Sequence, residues 1–310
     1  MTDDQFSIES QQQLRDRVGY EDWLLESVYK LAEDELFPDW PDAVVYDLSS
    51  SAPVTPVHVG GHIVLGDWRP GFLDAGAPLV FTATFKLLDM LFEWVLERNR
   101  RKVGFGFSEK LQQLRTSGVA LPDVLRSRSW LMERLKGLYK EAAPLRGTII
   151  HSRHFASTDG TLRVASSKGG VVGENIELDA SDLRTFAQLS VSVLRFLQGD
   201  WALSAYREKL LRWQLDRLAK LHKMAPLGQQ QPRHTRVRWY TQDPTIQNID
   251  LDRIRRDLDS QNPSQDITFD VRVVVLDGQT AVGAYLIPYE LLPQLPTLGD
   301  VSPYRCNVPT

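Results

Sequence analysis

At 310 residues, with 42% apolar and 25% charged side chains, the chain has the composition of a soluble globular protein of one large or two ordinary domains. No apolar run approaches the roughly 20 residues that a membrane helix needs, and the single cysteine, Cys306, excludes an internal disulfide framework and a cysteine-rich zinc site. The net charge of −4 hides an asymmetry: residues 1–50 hold thirteen acidic and three basic side chains (−10), whereas residues 51–310 hold 33 basic and 27 acidic (+6).

The acidic opening, Met1-Thr2-Asp3-Asp4, lacks the basic-then-apolar layout of a secretory signal, so a cytoplasmic setting is expected. From Ser7 to Phe37, Leu14, Val18, Leu24, Val28 and Leu31 recur at helical spacing, and Pro38 and Pro41 end the pattern. Residues 43–68 switch to short apolar runs, Val44-Val45-Tyr46 among them. Gly60-Gly61 reads as a tight hairpin turn between Val57-His58-Val59 and His62-Ile63-Val64-Leu65. His58 and His62 are four apart, but across such a turn they lack a third ligand, and no metal site is expected. Pro70 to Pro78 reads as a loop.

A helical organisation begins at Leu79 and runs to Arg101, with Phe81, Phe85, Leu88, Phe92 and Val95 as a wide apolar stripe. Gly104-Phe105-Gly106 turns the chain into a shorter helix, Phe107 to Leu114. Leu121-Pro122-Asp123 opens another, through Trp130, Leu135 and Tyr139, which Pro144 kinks or restarts. The polar stretch Ser157 to Asn175 fits an inserted β-hairpin. Asp179 to Asp182 offer N-caps for a last long helix, Leu183 to about Lys223, which Gly199 divides. After a Pro, Gly and Gln-rich break come a strand at Thr235–Thr241, a short helix at Leu251–Leu258, and a hairpin over Asp277-Gly278. The expected division is an acidic α/β leader (1–78), a helical domain (79–224), a linker (225–234) and a small α/β C-terminal region (235–310).

Chemistry concentrates in Leu145-Arg146-Gly147-Thr148-Ile149-Ile150-His151-Ser152-Arg153-His154. Arg146 and His151 lie about 1.4 helical turns apart, so they nearly share a face if the helix continues. Set between a long apolar helix and a polar loop that hands over to a last helix, this stretch resembles the active-site motif of HEPN domains. In that motif an arginine and a histidine stand four to six residues apart. The resemblance covers residues 79–223, about half the chain, and extends to Asp159-Gly160-Thr161-Leu162 behind the motif.

The resemblance implies a mainly α fold: an antiparallel helical bundle with a β-hairpin insertion, flanked by small α/β regions. It implies a metal-independent endoribonuclease with no cofactor, working as a homodimer whose two Arg–His pairs meet in one groove. His151 would move protons between the 2′-hydroxyl and the leaving 5′-oxygen, and Arg146 would hold the scissile phosphate, leaving a 2′,3′-cyclic phosphate. His154 is the second candidate for the histidine, with Arg153 as a phosphate contact and Ser152 as polar support. Asp89 and Glu93, one turn apart, either orient the pair or face solvent. Arg207, Arg212 and Lys220 on the last helix either grip an RNA backbone or form a solvated face. Such a protein would serve as a toxin or antiphage effector, with a neutralising partner protein possible and the acidic leader covering the basic groove.

One departure stands in the motif: Gly147 occupies the place where many catalytic members carry Asn, Asp or His. That favours an alternative, a catalytically inactive module that dimerises or binds nucleotides or RNA. A third reading is an unrelated helical interaction protein in which Arg146 caps a helix end.

Overall fold

The structure, a computed structural model, describes residues 5–31, 44–47, 57–58, 68–104, 106–151, 155–168, 171–200, 203–246, 249–261, 267–289, 291–292 and 301–305. The elements in order are α1 (Ile8–Leu31), β1 (Val44–Asp47), β2 (Val57–His58), α2 (Trp68–Arg98), α3 (Phe107–Arg115), α4 (Asp123–Arg126) and α5 (Ser129–His151). There follow β3 (Phe155–Thr158), β4 (Thr161–Lys168), β5 (Val171–Leu178), α6 (Ala180–Leu197), α7 (Ala205–Arg217) and α8 (Ala219–His222). The chain ends in β6 (Arg233–Thr241), α9 (Leu251–Gln261), β7 (Ile267–Asp277), β8 (Thr280–Ile287) and a 3-10 turn at Ser302–Tyr304. Two compact units result: Met1–Phe37 with Ile63–Gln230, and Pro38–His62 with Gln231–Thr310.

The first unit is organised by α2. Phe81, Phe85, Leu88, Phe92 and Val95 form the expected stripe, but Leu87, Leu91 and Trp94 are equally buried. A helix apolar on several faces belongs at the centre of its unit. α1 packs on it through Leu14, Val18, Leu25 and Val28, and Trp94 Nε1 donates to the Ser10 carbonyl at 3.1 Å. α5 contributes Leu131, Leu135, Leu138, Tyr139, Ala142 and Leu145, spaced three and four apart. α6 starts from a capping box, with Asp182 N–H donating to Asp179 (2.8 Å) and Asp179 N–H donating to Asp182 (3.1 Å). It ends at Gly199, whose φ of +76° permits the break before α7.

The predicted loop at Pro70–Pro78 is helix instead, since α2 starts at Trp68 and runs through Pro78. Pro78 lacks an N–H for the helical ladder, and packing of Ala77 and Val80 into the core outweighs that loss. The hairpin expected at Gly60-Gly61 lies outside the described residues beyond β2, which pairs antiparallel with β1.

The expected fold class, a mainly helical bundle with small flanks, is overturned. The protein is a mixed α/β protein with a three-stranded antiparallel sheet, β3-β4-β5, and a five-stranded sheet in the order β2-β1-β6-β7-β8. The supposed insertion hairpin gains a third strand because β3 follows the end of α5 closely and turns back at Asp159-Gly160. Both of these residues have positive φ, as a two-residue primed turn requires. The supposed leader and C-terminal region share one sheet: β1 runs parallel to β6, with Val45 beside Arg236 and Asp47 beside Arg238. A parallel pair needs no local turn, so nothing in the intervening sequence marks it. One face of this sheet, with Val237, Phe269, Val271, Val273 and Val275, packs on Ile254 and Leu258 of α9.

Candidate functional site

Residues 145–151 form the C-terminal end of α5. Helical periodicity carries α5 through Pro144, whose carbonyl accepts from Thr148 Oγ1 at 3.2 Å, and on to His151. Arg146 is two turns beyond Tyr139 and therefore on the same face. Tyr139 stacks on Phe85 (centroids 5.1 Å apart, planes 5° apart) and meets Phe92 and Phe107 edge-on at 5.0 and 5.8 Å. Its hydroxyl donates to Asp89 of α2. Burial, with the Asp89 carboxylate beside it, pushes the phenol far above its ordinary range, so Tyr139 is a fixed donor and not an acid.

Phe107, at the start of α3, forms a platform between two cations. The Arg146 guanidinium lies 5.8 Å from its ring centroid and Lys110 Nζ lies 5.6 Å from it. Lys110, with a side chain only 3% exposed, donates to Asp89 (2.7 Å) and Glu93 (2.5 Å). Asp89 and Glu93 thus neutralise Lys110, and they reach the Arg146 neighbourhood through it and through Phe107. Sequence reasoning missed Phe107, Lys110 and Tyr139 as members of this cluster. A signal existed for Lys110, a cation set among the apolar positions Phe107, Leu111 and Leu114.

Arg146 is half-buried and has no carboxylate partner among the described residues. Its charge is permanent, and its forked donors suit a phosphate. His151 is exposed, with no hydrogen-bond partner among the described residues. The two do not share a face. Five residues at about 100° each place them about 140° apart around the axis, with a rise of about 7.5 Å. Gly147 lies one turn before His151, and apart from its chain neighbours and its own helix backbone a Cβ there would meet no described heavy atom within 4 Å. Ser152, Arg153 and His154 lie outside the described residues.

The basic residues of the last helical segment are placed apart from one another. Arg212 lies 4.2 Å over the Trp130 ring and donates to Glu208 at 2.9 Å. Lys220 donates to Asp182 at 2.5 Å, and Arg207 sits in the first turn of α7, where its N–H donates to Ser204 Oγ. Among the described residues no group of three or more His, Cys, Asp or Glu could hold a metal ion. His62 lies outside the described residues, as does the side chain of His58. No helix among the described residues is long and apolar enough to cross a membrane. No protein-family model matches this chain, and neither does any curated protein or solved structure.

Proposed function

We propose that this protein cleaves RNA by the metal-independent chemistry of HEPN ribonucleases, with Arg146 holding the scissile phosphate and His151 transferring the proton. The observation that carries the reading is Arg146 itself: a half-buried arginine with its guanidinium over an aromatic ring, without a carboxylate partner among the described residues, five positions before an exposed histidine. An arginine partly removed from water, with no carboxylate partner among the described residues, is a ready site for an anion. His151 is exposed, so its imidazole is accessible to a 2′-hydroxyl and can serve as the proton-transfer group. The 140° between them argues for a homodimer, in which Arg146 of one copy and His151 of the other serve one phosphate. A cytoplasmic toxin or antiphage effector, restrained by a neutralising partner protein, is the biological role we attach to this chemistry.

The test uses labelled RNA with EDTA present, comparing the wild type with Arg146→Ala and His151→Ala. The expected result is cleavage in EDTA, a 2′,3′-cyclic phosphate end, and loss of both in either variant. Intact RNA with the wild type refutes the reading. A catalytically silent module that dimerises or binds nucleotides or RNA is the second reading, favoured by Gly147. Intact RNA together with a stable dimer selects it.

A further inference from the structure

We propose that the outer face of the β3-β4-β5 sheet is a nucleobase subsite that takes an unpaired base of single-stranded RNA. The choice of ligand rests on the reading of Arg146 and His151 as the RNA-cleaving pair. The subsite itself stands on a different part of the molecule.

Leu162, Val164 and Leu178 of this sheet enter the core. Alternation then turns Arg163 and Ala165 of β4, and their register partners, to the other face. Ala156 and Glu177 flank Arg163 on either side, and Asn175 stands beside Ala165. These residues line a depression of about 330 Å³, with Phe155 and Ile176 completing it. That size is at the lower end of small-ligand sites. Its floor holds two alanines, so a flat ring can approach the sheet closely.

Its walls are polar and oriented. Arg163 donates through Nε and Nη2 to the two Glu177 oxygens, at 3.0 and 3.3 Å. Two-point pairing fixes the guanidinium plane, and a fixed guanidinium plane is a stacking surface for a base. Asn175 is exposed and brings an amide donor and acceptor, the pairing that a base edge requires. β3 begins four residues after His151, so Phe155 Cα lies within about 14 Å of His151 Cα. A base bound here belongs to a nucleotide close to the scissile phosphate.

Arg163 and Glu177 are 51% and 61% exposed, so their loss leaves the core intact. The test measures binding by fluorescence anisotropy. One probe is a labelled 2′-O-methyl RNA octamer of mixed sequence, which lacks the attacking hydroxyl and cannot be cleaved. The other is an abasic octamer of the same backbone. Arg163→Ala and Asn175→Ala each weaken the base-bearing probe about tenfold, as loss of one base contact does, and leave the abasic probe unchanged. Unchanged affinity for the base-bearing probe, an equal loss on both probes, or no binding of either probe by the wild type overturns the proposal. Cleavage of unmodified RNA separates the two readings. A wild type that cleaves nothing yet shows the base-dependent loss sinks the ribonuclease and keeps the subsite. Cleavage without the base-dependent loss does the reverse.

Discussion

Gly147→Ala separates stability from function at the candidate site. A glycine inside a helix costs about 1 kcal/mol relative to alanine. Gly147 lies four residues from the end of α5, where the helix frays, so the gain falls to about 0.5–1 kcal/mol. Apart from its chain neighbours and its own helix backbone, no described heavy atom lies within 4 Å of the added Cβ, so no clash offsets that gain. At roughly 2–4 °C per kcal/mol for a unit of this size, the melting temperature rises by about 1–4 °C. The new methyl sits one turn from His151 on the same face, where the proposed ribonuclease reading brings a substrate or a second copy. RNA cleavage should therefore fall although the protein is more stable. Thermal unfolding by circular dichroism and cleavage in EDTA, on the same preparations, read the two effects. A lower melting temperature refutes the open-space argument, and a stabilised variant with undiminished cleavage refutes the role given to this face.

Three further outcomes follow from the packing. Lys110→Met leaves Asp89 and Glu93 facing each other beside Tyr139; breaking such a buried pair costs about 3–5 kcal/mol, and partial exposure of the carboxylates places this one near the lower value, read from urea unfolding. A loss under about 1 kcal/mol would show that the network contributes little. His222 Nε2 donates to the Leu215 carbonyl (2.9 Å) while Nδ1 accepts from Met224 N–H (3.1 Å), which fixes the neutral ring. Burial, with Arg134 nearby, holds its pKa below the usual 6.5 against the opposing pull of the Leu215 carbonyl and Asp216. The unfolded chain therefore binds the proton first: the stability is complete above pH 6.5 and is lost as pH falls through the depressed value. The drop in melting temperature between pH 7.5 and 5.5 should be smaller in His222→Gln, and an identical drop would exclude His222 as its source. Asp179→Ala removes the capping box of α6 and should cost about 1 kcal/mol by thermal unfolding.

Local signals in this sequence were reliable where local physics decides. The apolar stripe of α2, the Asp179 cap, the break at Gly199 and, to within one residue, the hairpin turn at Gly278-Gln279 were legible because each depends on neighbours a few residues away. Pro78 misled because its cost is local while the burial that outweighs it is tertiary. The fold class failed for a related reason: β1 is four residues long, and its partner β6 lies beyond the whole helical unit. At the candidate site, Arg146 and His151 were singled out by their spacing together with the resemblance to HEPN domains, and that spacing did not put them on one face. The Phe107 platform and the Lys110 pairing could not be singled out, because α3 meets α5 and α2 only through tertiary packing.

The split sheet bears on synthesis as well as on architecture. β1 leaves the ribosome before its parallel partner β6, which follows only after residues 48–232 have been made, roughly 10–40 seconds later at ordinary elongation rates. Throughout that interval β1 has no β6 to pair with, and unpaired strand edges invite association with other chains. The helical unit can complete its own core in the same interval, so the order of folding is written into the order of the chain. A fragment beginning at Gln231 would inherit the converse problem, with β6 exposed as an edge and the tendency to aggregate that follows.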